Sequence, residues 1–501
     1  MKKQNYRYIT RLLFSCLATM LILLSACKKD EENVPVVTEI RNYAASPDDT
    51  IVRTVNPGQW VILLGSHLRG VTQVYFGSIP ATVNNTLFSD KSIVVQIPSI
   101  PFQSVPADKL NEITVVNEAG MATFKIDIIG EPQISHIRNY ADSPDDTIVN
   151  AIMSGQQINI VGYNLGNATE IAFQGVPADL NQITYTDTST IVQVPADLSG
   201  SDVAMVNMVN YTTTIGTGSF SIRIIGPPAI TSVSYEIPNE GDSVYLYGYN
   251  FVNIQALTFA GETISSFDVS ADGSLLGFVA PALSQSGPVM ITTLSGAFTT
   301  AYNVNDILTG IISDFEWGDH FHWDWWGGAG LTSGNADFSG NSGQYLTLKT
   351  NILDSGGGDE FSTAIRMSGV QWLSAENLAD PVNRWVLKFE VSIPDPWNGG
   401  TLCIKSSNGS YMARYEPWQV SSSKTAAYST KGWQTISIPL SSFRLNDAEL
   451  GDGKGTPIES ITELVGTTGI SDMILYLHNY GSSATKTGFN GAFDNFRIVK
   501  R

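Results

Sequence analysis

Tryptophan is the residue type whose distribution in this sequence most clearly suggests a chemical task. Nine of the ten tryptophans lie after residue 311, and Trp60 alone lies before it. A flat indole ring can cover the apolar C–H face of a pyranose, while neighbouring polar groups pair with the sugar hydroxyls. This concentration of indole rings predicts that the C-terminal region binds a polysaccharide by stacking, without a chemical reaction.

The sequence around each tryptophan separates candidate binding rings from candidate core rings. Trp385 and Trp433 begin runs of alternating apolar residues, so we expect both in the core. Residues 321–328 are too aromatic and too close to glycine for a core strand, so some of their rings should face solvent. Trp372 and Trp418 lie beside turn-forming residues and are predicted to be exposed as well. The predicted glycan-binding residues are Trp323, Trp325, Trp326, Trp372, Trp418 and Arg414.

Acidic and histidine side chains in the same region leave two other chemistries to weigh. A glycoside hydrolase needs two carboxylates at a defined separation, one of them with a raised pKa. His320 and His322 would share one face of a strand, as a metal-binding pair could, but the sequence offers no evident third ligand. The acids lie in no recognisable catalytic motif, so we predict neither catalysis nor a bound metal or other cofactor. The acids considered as catalytic candidates are Asp319, Asp324, Asp354, Asp359, Glu360, Glu376 and Glu416.

The composition indicates a multi-domain protein made of β-strands. The chain has 501 residues, more than one hydrophobic core can organise, which predicts several domains. Only 15% of the residues are charged, well below the roughly 25% of an average soluble domain, and glycine is frequent. The formal net charge of −19 argues against nucleic acid, because phosphate binding needs a basic surface.

Internal repeats account for the elements that precede the tryptophan-rich region. Residues 40–52 recur almost unchanged as residues 137–149, and a third, diverged copy follows. In each copy a short β-rich run ends in glycine, and a second run ends in phenylalanine about ten residues later. Short strands at this spacing predict β-sandwiches of about ninety residues each. The aspartates at 48–49 and 145–146 are predicted to cap turns, with structural calcium as the alternative.

The N-terminus is typical of a targeting segment. Basic residues precede an apolar run over residues 12–24, and Leu24-Ser25-Ala26-Cys27 resembles the lipobox of bacterial lipoproteins. We therefore predict a signal peptide over 1–26, lipidation of Cys27, and a charged tether over 27–34. The lipid would anchor the protein to the outer membrane at the cell surface.

The glycine- and phenylalanine-ended runs resemble the IPT/TIG branch of immunoglobulin-like domains. With the lipobox and the terminal aromatic domain, the whole chain resembles surface glycan-binding lipoproteins of Bacteroidetes polysaccharide-utilisation loci, those in the SusE position called SGBP-B. The resemblance implies an all-β protein: three tandem Ig-like β-sandwiches followed by a carbohydrate-binding jelly-roll-like β-sandwich. The expected domains are 35–129, 130–226, 227–307 and 308–501.

The same resemblance implies a function and partners. It implies capture of a plant-type polysaccharide, a β-glucan such as mixed-linkage glucan or xyloglucan, or another hemicellulose, beside a TonB-dependent transporter and a SusD-like protein. It places the aromatic platform in the last domain, on a tryptophan of the 323–326 cluster and on Trp372. Two alternatives stay open: an adhesin or scaffold subunit that binds another protein, and, less favoured, a glycoside hydrolase.

Overall fold

The computed structural model describes residues 33–45, 47–141, 145–196, 198, 207–341 and 343–501. The predicted signal peptide, Cys27 and most of the tether lie outside these residues. The described chain forms two compact units, with the first two sandwiches in one unit and residues 225–501 in the other. Regular structure is almost entirely β. Among the described residues the single α-helix is α1 (Ile461–Val465), and no helix is long and apolar enough to cross a lipid bilayer.

The first sandwich consists of two antiparallel sheets around an aliphatic core. Its strands are β1 (Val36–Asn42), β2 (Thr54–Val55), β3 (Trp60–Ser66), β4 (Val71–Phe76), β5 (Ile79–Pro80), β6 (Thr82–Phe88), β7 (Ser92–Gln96), β8 (Glu112–Asn117), β9 (Met121–Lys125) and β10 (Asp127–Ile128). One sheet has the order β1-β3-β7-β6 and the other β5-β4-β8-β9, while β10 pairs in parallel with β2. Alternate residues enter the core, such as Val61 and Leu63 from β3 and Val74 and Phe76 from β4.

The second sandwich repeats this plan. Its strands are β11 (Gln133–Asn139), β12 (Ile148–Val149), β13 (Ala151–Met153), β14 (Gln157–Tyr163), β15 (Ala168–Phe173), β16 (Val176–Pro177), β17 (Thr184–Tyr185), β18 (Ser189–Gln193), β19 (Asn207–Thr213) and β20 (Thr217–Ile225). The sheets have the orders β12-β11-β14-β18-β17 and β13-β20-β19-β15-β16. Ile158 and Ile160 from one sheet meet Ile171 and Phe173 from the other in the core.

The third sandwich is the shortest version. Its strands are β21 (Ala229–Val233), β22 (Ser243–Tyr249), β23 (Ile254–Phe259), β24 (Glu262–Thr263), β25 (Asp268–Val269), β26 (Leu275–Val279), β27 (Gly287–Thr293) and β28 (Gly296–Val304). The sheets have the orders β21-β22-β26-β25 and β24-β23-β27-β28. Its core again contains a buried phenylalanine, Phe259, at the end of the second long strand.

The C-terminal sandwich is larger and differs in topology. Its strands are β29 (Ile311–Ser313), β30 (Gly330–Ser333), β31 (Gln344–Leu353), β32 (Ala364–Gln371), β33 (Trp385–Ser392), β34 (Thr401–Ser406), β35 (Tyr411–Tyr415), β36 (Gln419–Ser421), β37 (Lys424–Thr425), β38 (Gln434–Pro439), β39 (Arg444–Leu445), β40 (Ile470–His478) and β41 (Thr485–Lys500). One sheet runs β30-β31-β41-β33-β38 with β29 beside β41, and the facing sheet runs β32-β40-β34-β35-β39. The prediction of an all-β chain is confirmed.

Short 3-10 turns link several strands of both units. They are Phe102–Ser104, Leu180–Gln182, Ala336–Phe338, Ala375–Asn377, Val382–Arg384 and Leu440–Ser442.

The repeated glycine of the three Ig-like copies lies where two strands come close together. Gly65, Gly162 and Gly248 each lie opposite a β-bulge in the first strand of their sandwich. A Cβ atom at any of the three would overlap a backbone carbonyl oxygen of that bulged strand. The bulge brings the two backbones together, so only glycine fits.

Replacing Gly65 by alanine is therefore expected to destabilise the first sandwich. The added methyl group would overlap the Val36 carbonyl oxygen, so β1 must move, at a cost of about 1–3 kcal/mol or more. Urea unfolding of the full chain would measure the loss. Gly70→Ala is the matched control, because its Cβ would lie 3.9 Å from the Asn117 side chain. Equal midpoints for the two variants would contradict this role of the bulge.

The repeated Asp-Asp segments bind arginine in the structure. Arg41 Nη1 lies 3.1 Å from Asp49 Oδ2, and Arg138 Nη2 lies 3.4 Å from Asp146 Oδ2. In the first copy the side-chain oxygen of Asn42 accepts the Thr50 N–H, at 2.6 Å. Asp49 and Asp146 thus fasten their turns to the preceding strand, in agreement with the predicted turns.

The third and C-terminal sandwiches, which belong to one compact unit, share a buried ionic contact. Glu236 of the third sandwich lies 2.5 Å from Lys388 Nζ and 3.0 Å from Arg497 Nη2. Arg497 also lies 2.7 Å from Glu390, and all four side chains are buried. Burial lowers the pKa of Lys388 and raises that of Glu390, and in each case the opposite charges beside the group oppose the effect.

An aromatic cluster lies beside these charges and includes one predicted core tryptophan. Trp433 is buried among Tyr235 of the third sandwich and Phe338 and Tyr345 of the C-terminal sandwich. Thr435 donates its backbone N–H to Ser234 O at 2.8 Å. The contact between the two sandwiches is therefore a continuous packed interface, which fixes the position of the C-terminal sandwich on its neighbour.

Candidate functional site

The two faces of the sheet β32-β40-β34-β35-β39 carry different side chains. Residues such as Ile365, Leu475 and Ile404 point into the sandwich core, as strand alternation requires. The opposite face carries Tyr476 and Cys403, together with charged and hydroxyl side chains. Aromatic rings from two neighbouring loops extend this outer face, which makes it the candidate site.

Trp326 and Phe361 form an exposed ring pair at the edge strand β32. Their centroids are 5.7 Å apart and their planes differ by 13°. The Arg366 guanidinium lies 4.8 Å from the Trp326 ring centre and covers one face of the indole. Trp326 is nevertheless 44% exposed and Phe361 61% exposed. These rings, which we call the Trp326 platform, present flat apolar surface to solvent.

Backbone contacts fix the two loops that carry the platform. Gly327 and Gly328 approach the backbone of residues 362–364 so closely that a Cβ on either would overlap a carbonyl oxygen. The Asp324 N–H donates to Arg366 O at 2.9 Å. Both glycines also have positive φ, which explains why glycine follows the tryptophans here. The rings are thus held in place before any ligand arrives.

Asp359 holds the Phe361 side of the platform. Its Oδ1 accepts the backbone N–H groups of Phe361 at 2.8 Å and Ser362 at 2.7 Å. These bonds hold the pKa of Asp359 below its usual value, because they favour the charged carboxylate.

The rest of the outer face is polar and arranged in pairs. Lys405 lies 2.7 Å from Glu360, and Arg414 lies 2.8 Å from Glu416. Arg414 also lies over the Tyr480 ring, 4.3 Å from its centre. Burial raises the pKa of the Cys403 thiol beneath them to about 11, so it stays protonated near neutral pH. This surface offers hydrogen-bonding groups beside a flat apolar platform.

A second group of rings, two exposed and one half-buried, lies on the preceding loop. Trp317 stacks on Phe321 at 4.4 Å and on Trp325 at 6.0 Å, with planes about parallel in both pairs. Trp317 is 64% and Trp325 66% exposed. We call these three rings the Trp317 stack.

Some of the predicted site residues are exposed in the structure and others pack against the core. Trp325 and Trp326 are exposed as expected, whereas Trp323 is half-buried and packs against the core. Trp418 is also half-buried, and its indole N–H donates to Gly400 O at 2.9 Å. Arg414 lies on the outer face, bound to Glu416.

The prediction that Trp372 is a platform ring is wrong. Trp372 is 2% exposed and meets Phe443 edge to face at 6.3 Å. A bulge between Met367 and Val370 shifts the alternation of β32, so Val370 and Trp372 point into the core. Trp385 is buried as predicted, and Trp397, which stands near loop signals in the sequence, is fully buried too.

Sequence reasoning missed the exposed positions of Phe361 and Trp317. Phe361 stands alone among glycine, aspartate and serine, so no periodicity marks it, and only the Asp359 turn brings it to Trp326. Trp317 and Phe321 are four residues apart on an irregular loop. An exposed aromatic beside an Asp-containing turn is the signal that could have found Phe361.

Several acids of the C-terminal sandwich that could serve acid–base chemistry are paired with cations. Within the described residues, no group of three histidine, cysteine, aspartate or glutamate side chains could hold a metal ion. Of the acids weighed as catalytic candidates, three pair with cations: Asp324 with Arg366, Glu360 with Lys405, and Glu416 with Arg414.

Comparison with known proteins agrees with this architecture. Residues 304–500 match the family model of the surface glycan-binding protein B xyloglucan binding domain. An IPT/TIG domain-containing protein of Bacteroides ovatus is 24% identical over 519 residues, with 100% of both chains covered.

One solved structure shares the fold of this chain, and a second is similar over a shorter part of it. A crystal structure with xylogluco-oligosaccharide superposes with a TM-score of 0.56 at 20% identity, covering 93% of this chain and 100% of that chain. The surface glycan-binding protein PbSGBP-B from Prevotella bryantii has a TM-score of 0.46 at 19% identity, covering 74% of this chain and 99% of that chain. The C-terminal sandwich is therefore similar to the xyloglucan-binding domain of surface glycan-binding protein B, and the chain as a whole is similar to an IPT/TIG domain-containing protein.

Proposed function

We propose that the C-terminal sandwich binds xyloglucan, or a closely related β-glucan, on the Trp326 platform without cleaving it. The observation that carries the proposal is the near-parallel pair of Trp326 and Phe361, exposed and fixed on the outer face of β32. Such rings cover the apolar faces of sugars, and the paired polar groups beside them can meet the hydroxyls. The family match over residues 304–500 supports xyloglucan as the ligand.

The roles of the individual residues follow from their positions. Trp326 and Phe361 stack on the glycan, and Trp325 extends the aromatic surface. Arg414 contributes to the polar floor, whereas Trp323 and Trp418 support the fold around the site, because both pack against the core.

Binding without hydrolysis is the favoured chemistry. A glycosidase needs one carboxyl that keeps its proton near the scissile bond and a second that is ionised. On the outer face Glu360 and Glu416 are each paired with a cation, and Asp324 is held by Arg366 and Ser368. These contacts suit a permanent polar surface rather than a proton donor.

We further propose that the protein works at the cell surface. The lipobox-like Leu24-Ser25-Ala26-Cys27 supports lipid anchoring at Cys27 to the outer membrane. The family resemblance supports association with a TonB-dependent transporter and a SusD-like protein. In the sequence the three Ig-like sandwiches, with predicted boundaries at 35–129, 130–226 and 227–307, lie between the proposed lipid anchor and the binding domain.

Affinity electrophoresis of the full chain in gels containing soluble glycans tests this function. We expect strong retardation in xyloglucan, less in mixed-linkage β-glucan, and no release of reducing sugar. Absence of retardation in every plant β-glucan would refute the proposed ligand class, and release of reducing ends would refute binding without cleavage.

Replacing Asp359 by alanine is expected to weaken glycan binding about threefold, because Phe361 loses the cap that fixes its backbone. Asp359→Asn, which keeps an oxygen acceptor, is the control.

The same cap predicts a dependence on pH. Since the pKa of Asp359 is lowered in the folded chain, the stabilisation of the fold by its carboxylate is present above the unfolded pKa of about 4 and is lost as the pH falls through the folded pKa. Titration calorimetry at neutral and acidic pH measures the effect of the substitution and the effect of pH. Equal glycan binding by Asp359→Ala and wild type at neutral pH would contradict the role of the cap, and binding by wild type that is the same at both pH values would contradict the pH dependence.

A further inference from the structure

The loop that follows the first strand is nearly identical in the first two sandwiches. Residues 40–52 and 137–149 differ at a single position. Four large side chains of these loops leave more than half of their surface in solvent: Tyr43 and Ile51 in the first sandwich, Tyr140 and Ile148 in the second. Packing of the sandwich core does not require them, so their identity in both copies points to a contact outside the module.

Neighbouring positions on the same face have changed between the two copies. Arg41 pairs with Ile51 on one side and with Ile62 on the other, so these three side chains point to one face of the sheet. In the second sandwich Arg138 again pairs with an isoleucine, but the equivalent of Ile62 is Asn159. The face has diverged around the loop, whereas the exposed tyrosine and isoleucine have stayed the same.

The same hydrogen bonds and ion pairs fix both loops. The side-chain oxygen of Asn42 accepts the Thr50 N–H at 2.6 Å, and that of Asn139 accepts the Thr147 N–H at 2.5 Å. Together with the two arginine–aspartate pairs described above, these bonds hold the exposed side chains in place. A surface that is ordered in advance loses little entropy when a partner binds.

The third sandwich shows what this position of the module can do. Three strand residues face the repeated glycines: Val37, Ile134 and Ile230. Counted from these residues, Tyr43 and Tyr140 stand at the position that Glu236 occupies in the third sandwich. Tyr235 and Glu236 are buried against the C-terminal sandwich, where Glu236 meets two basic side chains. One copy of this module position therefore binds a folded protein surface within the chain itself.

We propose that Tyr43 and Ile51, with their counterparts in the second sandwich, dock a second protein that is held at the same membrane. This inference rests on the proposed lipid anchor at Cys27 and goes beyond the glycan site. In the sequence the two sandwiches that carry these loops come first after that anchor, whereas the third, next to the glycan-binding sandwich, lacks the tyrosine and the paired aspartates. Two equal contacts on one chain strengthen attachment, because the second forms within a complex that the first has made.

The partner surface that fits these loops is apolar and basic. The exposed tyrosine and isoleucine need a recess of apolar side chains, as Tyr235 finds beside Trp433. Asp48 and Asp145 are exposed next to the paired aspartates and need lysine or arginine, as Glu236 finds in the C-terminal sandwich. A second copy of this chain fits poorly, because the formal net charge of −19 makes two copies repel each other.

The shape of the loops does not suit a sugar ring. Tyr43 and Trp60 meet at 47°, with ring centres 6.5 Å apart, so the two rings form no common flat surface. In the second sandwich Gln157 stands in place of Trp60. A recess in a protein accepts a single protruding side chain, whereas stacking on a glycan needs a flat face.

Site-specific photo-cross-linking in the source bacterium tests the proposal with the full lipidated chain. The photoreactive amino acid p-benzoylphenylalanine replaces Tyr43 or Tyr140, one at a time, and mass spectrometry identifies the cross-linked protein. Both positions are expected to give the same outer-membrane protein. The control position is Met121, which is 67% exposed in the first sandwich and should give no such product.

Truncation of the two isoleucines measures how much they contribute to the contact. Ile51→Ala together with Ile148→Ala is expected to lower the cross-linking yield at position 43 about tenfold, since a few central side chains carry most of the affinity of an interface. Met121→Ala is the matched control and should leave the yield unchanged. The double variant should keep wild-type retardation in xyloglucan gels, because the Trp326 platform is untouched, and thermal unfolding checks that it stays folded.

Several results would overturn the docking surface. They are the absence of a cross-linked outer-membrane protein at either position, different proteins at the two positions, the same product from position 121, and a yield that the double variant leaves unchanged. Cross-links formed only between copies of this chain would overturn it as well, in favour of self-association. Absence of retardation by wild type in xyloglucan gels would refute the proposed glycan function and leave the docking surface standing.

Discussion

Replacing Trp326 by alanine is expected to lower affinity for xyloglucan by roughly 30-fold or more, because the ring is the anchor of the platform. Removing a central aromatic anchor typically costs about 2 kcal/mol or more, and every 1.4 kcal/mol is about tenfold in affinity. The indole is fixed by Arg366 on one face and paired with Phe361 at 5.7 Å, so no other ring can take its place. Phe361→Ala should show a smaller loss in the same direction.

The matched comparison uses a buried and an exposed tryptophan. Trp372→Ala removes a core ring and should lower stability by about 3–5 kcal/mol, while the folded fraction retains glycan affinity. Trp326→Ala should do the reverse, with stability close to wild type and affinity lost. Calorimetric titration together with thermal unfolding measures both quantities on the same samples. If folded Trp372→Ala loses more glycan affinity than Trp326→Ala, the assignment of Trp326 to the platform and of Trp372 to the core is contradicted.

Replacing Arg497 by alanine is expected to destabilise the C-terminal sandwich by about 3–5 kcal/mol, because two buried carboxylates lose their partner. Arg497 binds Glu390 at 2.7 Å and Glu236 at 3.0 Å, and none of the three reaches solvent appreciably. Burial lowers the pKa of Arg497, but the neighbouring carboxylates outweigh it and raise that pKa, so the arginine stays charged. Lys388 alone cannot neutralise both acids.

Differential scanning calorimetry of the full chain measures the effect as a downward shift of the transition that involves the C-terminal sandwich. Lys500→Ala is the control in the same strand, since Lys500 is 3.3 Å from Asp380 and exposed, and an exposed pair contributes about 0–1 kcal/mol. Comparable transitions for the two variants would show that the buried network does not hold the sandwiches together.

The Ig-like repeats were predictable from the sequence because their signals are local and occur three times. The glycines at 65, 162 and 248 mark a backbone approach that no side chain tolerates. The phenylalanines at 76, 173 and 259 are followed by two residues with positive φ, such as Gly77 and Ser78, which close tight hairpins. Because these glycines and phenylalanines recur at matching positions in three copies, the sequence alone is enough to recognise the constraints that they reflect.

The candidate site was only partly predictable, because the burial of a side chain depends on contacts that are distant in sequence. The glycines after Trp326 correctly indicated an exposed aromatic loop. Trp372 stands near equally strong loop signals, yet a bulge in β32 reverses its direction and Phe443 covers it. Phe361 becomes a platform residue only because Asp359 turns the chain toward Trp326.

Titration of wild type and of Trp326→Ala with a xylogluco-oligosaccharide tests the central claim most directly. The structure predicts heat of binding for wild type and an affinity reduced roughly 30-fold or beyond detection for the variant. Binding of equal strength by the two proteins would contradict the claim that the Trp326 platform holds the glycan.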